Sequence, residues 1–166
     1  MEYTIKEVHC DDLDFKNLCT KLDEYLTNLV PERIIWDCNS LNGLEKLQKV
    51  LLLYYNDKAV ASVGLKAVNE TTAMVSRVYV EDMHRGKGLG KLLVNKISEF
   101  AKDMGYKRLV LNTWQVNKPA IELYKKLGFV ETSRIDMDTS DNASFEKEDY
   151  KIQKIKELSI FMKKEI

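Results

Sequence analysis

The chain has 166 residues, 45% hydrophobic and 31% charged, with 26 acidic and 26 basic side chains. That composition suits a single globular domain over 1–166 that buries roughly 70% of its unfolded surface, and it excludes a disordered chain. Zero formal net charge argues against non-specific nucleic-acid binding, and no apolar run reaches the ~20 residues a membrane span needs.

Charge is unevenly placed. Residues 1–30 hold seven acids and three bases, residues 82–110 seven bases and three acids, and residues 136–150 six acids and one base. Cys10, Cys19 and Cys38 are odd in number and lack C-x-x-C spacing, so neither a disulfide framework nor a zinc site is expected. The first residues lack the basic-then-apolar layout of a signal peptide, and a cytoplasmic protein is expected.

In chain order, Tyr3–Val8 alternates as a strand does. Asp11 or Asp12 is placed to cap a helix whose apolar positions run Phe15, Leu18, Cys19, Leu22, Tyr25, Leu26 and Leu29. Pro31 ends it, Trp36 lies in the connection, and Ser40 is placed to cap a short second helix through Leu44 and Leu47. Val50–Tyr55, Ala59–Val68 and Ala73–Val80, separated by Asn56-Asp57 and Asn69-Glu70, read as three strands of an antiparallel meander. A glycine-rich stretch, Arg85-Gly86-Lys87-Gly88-Leu89-Gly90, then opens a helix carrying Leu89, Leu92, Leu93, Ile97, Phe100, Ala101 and Met104, closed by Gly105.

Leu109–Asn112 is a short strand. Reached by a strand–loop–helix crossover, it should lie parallel to Ala73–Val80. Asn117 is placed to cap a further helix with Pro119 in its first turn and Gly128 at its end. Phe129–Arg134 reads as a strand, residues 136–156 as a polar loop or partial helix, and Leu158–Met162 as a last strand forming a hairpin with the one before.

The glycine stretch is the chemical signal. Glycines at a helix mouth let backbone N–H groups approach a ligand, and the helix dipole places partial positive charge there, which suits a phosphate. A Walker A loop fails, because Lys91 is followed by Leu92 and Arg85 stands where the first glycine belongs; a G-x-G-x-x-G fingerprint fails at Lys91 or Leu93.

Arg85-x-x-Gly88-x-Gly90 instead resembles the R/Q-x-x-G-x-G/A signature of the GNAT superfamily, the acetyl-CoA-dependent N-acetyltransferases. About thirty residues on, Asn117-x-x-Ala120-x-x-Leu123-Tyr124-x-x-x-Gly128-Phe129 resembles the family's N-x-x-A-x-x-L-Y-x-x-x-G-F segment. The resemblance is specific over 73–134. It implies an α/β fold: a mostly antiparallel sheet of about seven strands, a parallel splayed pair in its middle, and about four flanking helices.

The resemblance also implies roles. Backbone groups of Arg85, Gly86, Lys87, Gly88, Leu89, Gly90 and Lys91 would hold the coenzyme A pyrophosphate. Val78 and Val80 would bond the pantetheine amides as an added strand does. Asn117 would contact the cofactor near the slot, and Tyr124 would protonate the departing thiolate. Many relatives carry a glutamate base where Met74–Arg77 stand here, which leaves a water chain, a backbone carbonyl or an acid from another segment, with Asp23 and Glu24 as candidates. An amine of pKa ~10.4 is neutral in only about one molecule in 2,500 at pH 7, so help in deprotonation matters.

Glu24, Tyr25 and Trp36 are expected to line the acceptor pocket. The two acidic segments suggest a small cationic amine as acceptor, with no nucleic-acid or membrane partner and a monomer or homodimer as the working unit. A protein or peptide acceptor and a silent acyl-CoA-binding module are the alternatives. No metal is expected: Asp136, Asp138, Ser140 and Asn142 fail a calcium loop at Asp141 and Lys147, and His9 and His84 form no metal pair.

Overall fold

The computed structural model describes residues 2–29, 43–133 and 159–166. Twelve elements follow one another: β1 (Tyr3–Val8), α1 (Leu13–Leu29), a 3-10 turn (Leu44–Lys46), β2 (Leu47–Tyr55), β3 (Lys58–Ala67), β4 (Thr72–Val80), a second 3-10 turn (Asp82–His84), α2 (Leu89–Asp103), β5 (Arg108–Trp114), α3 (Lys118–Lys126), β6 (Val130–Thr132) and β7 (Ser159–Glu165). The strands form one seven-stranded sheet in the order β1-β2-β3-β4-β5-β7-β6.

The run Val50-Leu51-Leu52-Leu53 explains the layering. Successive strand side chains point to opposite faces, so an unbroken apolar run needs cover on both. Leu51 and Leu53 join the core beneath α2 with Leu93, Ile97 and Met162. Val50 and Leu52 face the other way and pack with Phe15, Leu18, Cys19 and Leu22 of α1. Burial among these apolar neighbours raises the Cys19 thiol to about 11, so it stays protonated and behaves as a small hydrophobe.

Local chemistry sets the connections. Asp12 caps α1, its carboxylate accepting from the Phe15 N–H at 3.0 Å. Asn56 and Asp57 both take positive φ (48° and 63°), the backbone of a tight hairpin turn between β2 and β3. The Asn69 side chain accepts from the Thr71 and Thr72 N–H groups and turns the chain into β4.

Three expectations are corrected. The short helix from Ser40 does not extend through Leu47: Ser40 lies outside the described residues, Leu44–Lys46 form only a 3-10 turn, and Leu47 already pairs with Lys66 in the sheet. Three α-helices lie among the described residues. β5 runs on to Trp114, beyond Asn112, because β7 pairs with its whole length from Arg108↔Glu165 to Trp114↔Ser159. The expected β6–β7 hairpin pairing is present, but β7 lies inside it against β5 and β6 is the edge.

The parallel pair is the feature that makes a site. β4 and β5 are in register only at Thr72↔Arg108, Ala73↔Leu109 and Met74↔Val110. Beyond Met74 the strands separate. Further along β4, Arg77 and Val78 stand opposite the single residue Val63, a β-bulge with Arg77 at φ 56°. The Ser62 hydroxyl donates to the Arg77 carbonyl at 2.8 Å and holds it there. A bulge bends the strand that carries it, and here it lies beside the gap.

Candidate active site

The gap between β4 and β5 opens into two clefts that share a floor. One, of about 310 Å³, lies over the glycine stretch and is lined by Val78, Val80, Arg85 through Gly86, Gly88 through Lys91, and the α3 residues Pro119, Ala120 and Leu123. The other, of about 590 Å³, lies on the opposite side, between α1, the Gly43–Leu47 turn, β4 and the end of β5. Leu22, Val78, Asn117, Ala120 and Tyr124 line both.

The first cleft is built by backbone conformation. Gly86 and Gly88 have φ of 76° and 77°, a region costing other residues about 1–2 kcal/mol. Gly88 is the N-cap of α2 and provides no side-chain cap, so the first-turn N–H groups of Leu89, Gly90 and Lys91 are left for a ligand. Gly90 serves differently: a Cβ there would come 3.1 Å from Leu123 Cδ2, so its missing side chain lets α3 approach α2. With Arg85, Lys87 and Lys91 nearby, this mouth suits a doubly charged pyrophosphate.

Arg85 itself is held by its neighbours. Its Nε donates to the Val80 carbonyl at 2.8 Å and its Nη1 meets Asp82 Oδ1 at 2.8 Å. The guanidinium carbon lies 4.5 Å from the Tyr25 ring centre and 5.6 Å from that of Tyr79.

Tyr124 stands where the clefts meet. It is 7% exposed, its ring edge-on to Phe129 at 5.8 Å, and burial raises its phenol well above the ordinary tyrosine range. Among the described residues nothing hydrogen-bonds its hydroxyl. Buried tyrosine hydroxyls ordinarily have partners, so an unpartnered one lining two clefts points to a ligand group. Asn117 is also buried, at 8% exposed. It occupies the N-cap position of α3 without a side-chain cap bond; instead its Oδ1 accepts from Tyr25 OH at 3.4 Å and its Nδ2 approaches Thr113 Oγ1 at 3.5 Å.

The acceptor-side candidates do not assemble as expected. Tyr25 lines the glycine-loop cleft, not the larger one. Glu24 is exposed on α1 and lines neither cleft, and Asp23 is half-buried and pairs at 3.4 Å with Arg77, which lines the larger cleft. Trp36 and the acidic segment 136–150 lie outside the described residues, as do the rejected calcium-loop positions. The charged described residues that line the larger cleft are Glu45, Lys46, Lys66 and Arg77, so its described wall does not repeat the acidic bias of the flanking sequence. Sequence reasoning missed Arg77 and Trp114, whose positions depend on the bulge and on the length of β5. No group of three or more potential metal-ligating side chains occurs among the described residues.

Residues 15–129 match the Acetyltransferase (GNAT) family. The chain belongs to that family. Over 83 residues it is 36% identical to human N-acetyltransferase 8B, a match covering 47% of this chain and 37% of that protein. Over 81 residues it is 31% identical to the uncharacterized N-acetyltransferase YobR of Bacillus subtilis, covering 49% and 33% respectively. The match therefore spans about a third of the length of these curated relatives.

Solved GNAT structures share the whole fold. An acetyltransferase from Streptococcus agalactiae superposes with a TM-score of 0.73 at 20% identity, covering 99% of this chain and 98% of the other. The PaiA N-acetyltransferase of Thermoplasma acidophilum, solved with coenzyme A, gives 0.73 at 15% identity over 100% of both chains. The mostly antiparallel sheet and its splayed parallel pair are thus those of the family.

Proposed function

We propose that this GNAT protein transfers an acetyl group from acetyl-CoA to a primary amine by direct attack within a ternary complex. The observation that carries the reading is Tyr124: a buried, unpartnered phenol on the shared floor of two clefts, one shaped for a pyrophosphate and the other open for an acceptor.

The chain's part in the reaction divides by segment. First-turn N–H groups of Leu89, Gly90 and Lys91, with the positive-φ glycines before them, hold the pyrophosphate. Val78 and Val80 present β4 backbone, unpaired with β5 past Met74, to the amides of the pantetheine arm. Asn117 lies beside that arm. The thioester is thereby brought to the floor, where the neutral amine entering from the larger cleft attacks the carbonyl carbon. As the C–N bond forms and the C–S bond breaks, Tyr124 gives its proton to the departing sulfur and is then reprotonated through water, which takes up the proton the amine nitrogen loses. The same burial that disfavours phenolate disfavours a bare thiolate there, so the proton follows the developing charge.

With no carboxylate at Met74–Arg77, the amine proton passes to water in the larger cleft, whose floor offers Ser76, Asn112 and Thr113. The acceptor is a small amine. The acidic segments 1–30 and 136–150 favour a cationic one, while the described wall of the larger cleft is mixed in charge.

Calorimetry with acetyl-CoA followed by thiol-release assays over cationic, neutral and carboxylate-bearing amines tests the reading. Acetyl-CoA binding with amine-dependent thiol release is expected. Binding without release for any amine would instead identify a silent acyl-CoA module, and no binding would overturn the donor assignment.

A further inference from the structure

Tyr25 belongs to α1, yet it reaches both lips of the glycine-loop cleft. On one lip its ring lies 4.5 Å from the Arg85 guanidinium carbon, a cation–π distance. That guanidinium is bound at its edges by the Val80 carbonyl and by Asp82, with Tyr79 more distant at 5.6 Å. On the other lip the Tyr25 hydroxyl donates to Asn117 Oδ1 at 3.4 Å. Val80 and Arg85 end β4 and begin the phosphate loop; Asn117 begins α3, which carries Tyr124.

From this geometry we propose that Tyr25 is a positioning residue for the acetyl donor. Its ring keeps the Arg85 side chain flat against the end of β4, so that Val80 and the loop that follows are pre-set for the pantetheine and pyrophosphate. Its hydroxyl ties the far lip to the same helix. The ring is the larger contributor, since it stacks on a full charge, whereas the hydroxyl bond is long. This inference rests on the acetyl-CoA reading of the cleft and adds a residue of α1 to it.

The test measures acetyl-CoA affinity by calorimetry, with steady-state kinetics alongside, for Tyr25→Phe, Tyr25→Met, Arg85→Lys and the Tyr25→Met/Arg85→Lys double variant. Methionine keeps an apolar side chain and good helix propensity, so α1 is retained; ligand-free melting temperatures within a few degrees of wild type verify that. Tyr25→Met is expected to weaken acetyl-CoA binding roughly 3- to 30-fold, raising KM for acetyl-CoA while kcat at saturation changes less than about twofold. Tyr25→Phe, which keeps the ring, is expected to stay within about threefold of wild type. Arg85→Lys keeps the charge but loses the planar group, and the double variant is expected to bind about as the weaker single one does.

Wild-type affinity in Tyr25→Met overturns the inference. So do fully multiplicative losses in the double variant, or a Tyr25→Phe loss as large as that of Tyr25→Met. A wild-type chain that binds no acetyl-CoA overturns the donor assignment itself, which separates the two failures.

Discussion

The two clefts are made in different ways. The glycine-loop cleft has a short local run at its mouth: Gly86, Gly88 and the first turn of α2 form a charged, backbone-lined opening within six consecutive residues. The larger cleft draws on α1, the Gly43–Leu47 turn, β3, β4, the end of β5, α3 with its N-cap Asn117, and Ser159 of β7. A site whose ligand is held by consecutive N–H groups is written in the chain's order. One whose walls come from seven distant segments is set by how those segments pack. Tyr124 joins the two, which is why a change there should be felt on both sides.

Removing that junction gives the largest expected effect. Tyr124→Phe should lower kcat by about 10²- to 10⁴-fold, the usual worth of a positioned acid, while acetyl-CoA affinity measured by calorimetry stays within about twofold. An unchanged kcat would take Tyr124 out of the mechanism and leave the clefts without a chemical link.

The pH profile examines the acceptor side alone. With no carboxylate at Met74–Arg77, kcat/KM for a lysine-like amine should rise about tenfold per pH unit toward the amine's own pKa, ~10.4. A profile levelling off near pH 6–7 would reveal a base, either Glu45 on the wall of the larger cleft or a group outside the described residues. Tyr124 does not limit this range, since burial raises its phenol and it remains protonated.

On the donor side, Gly88→Val forces a β-branched residue into φ 77° and should weaken acetyl-CoA binding about tenfold or more, with KM for the amine little changed. Equal losses for both ligands would mean that the loop supports the fold as a whole.

A smaller effect concerns the joint between the layers. Glu81, just after β4, accepts from Lys21 of α1 and meets Lys58 of β3 at 3.3 Å. Partial burial by itself pushes its carboxyl up, but hydrogen bonds from Lys21 and Lys58 outweigh that and hold it below the ordinary value of 4.5. A carboxyl with a depressed folded-state pKa stabilises above its unfolded pKa and loses that contribution as pH falls through the folded value. Melting temperatures of wild type and Glu81→Gln should therefore differ above about pH 4.5 and converge at lower pH. The smallest expected effect is that of Glu24→Gln: exposed and outside both clefts, it should leave kcat/KM within about twofold for any amine.

Much of the fold was legible because it is written in local periodicity. Asp12, Asn56-Asp57 and Gly105 punctuate elements at the expected places, and Leu51/Leu53 against Val50/Leu52 is the two-sided burial that an unbroken apolar run requires. The residues of the family motif, Tyr124, Asn117 and the glycine stretch, line one cleft together. The misplacements occur where phase or pairing decides. Tyr25, expected at the acceptor pocket, lines the glycine-loop cleft, because the direction a helix face points depends on how α1 lies across the sheet. Glu24, one residue earlier on α1, is turned to solvent for the same reason.

By itself the sequence determined the glycine-lined mouth of α2, the order of strands and helices through β5, and the presence of a tyrosine four residues before a helix-closing glycine. These depend on backbone conformation and side-chain period within short windows. Only the tertiary structure decided that β7 inserts between β5 and β6, that β4 and β5 part beyond Met74 with a bulge at Arg77, and that Tyr25 spans the lips of the donor cleft. Each of those depends on contacts between residues tens of positions apart, whose geometry is set by packing and sheet register and is not encoded in any single stretch.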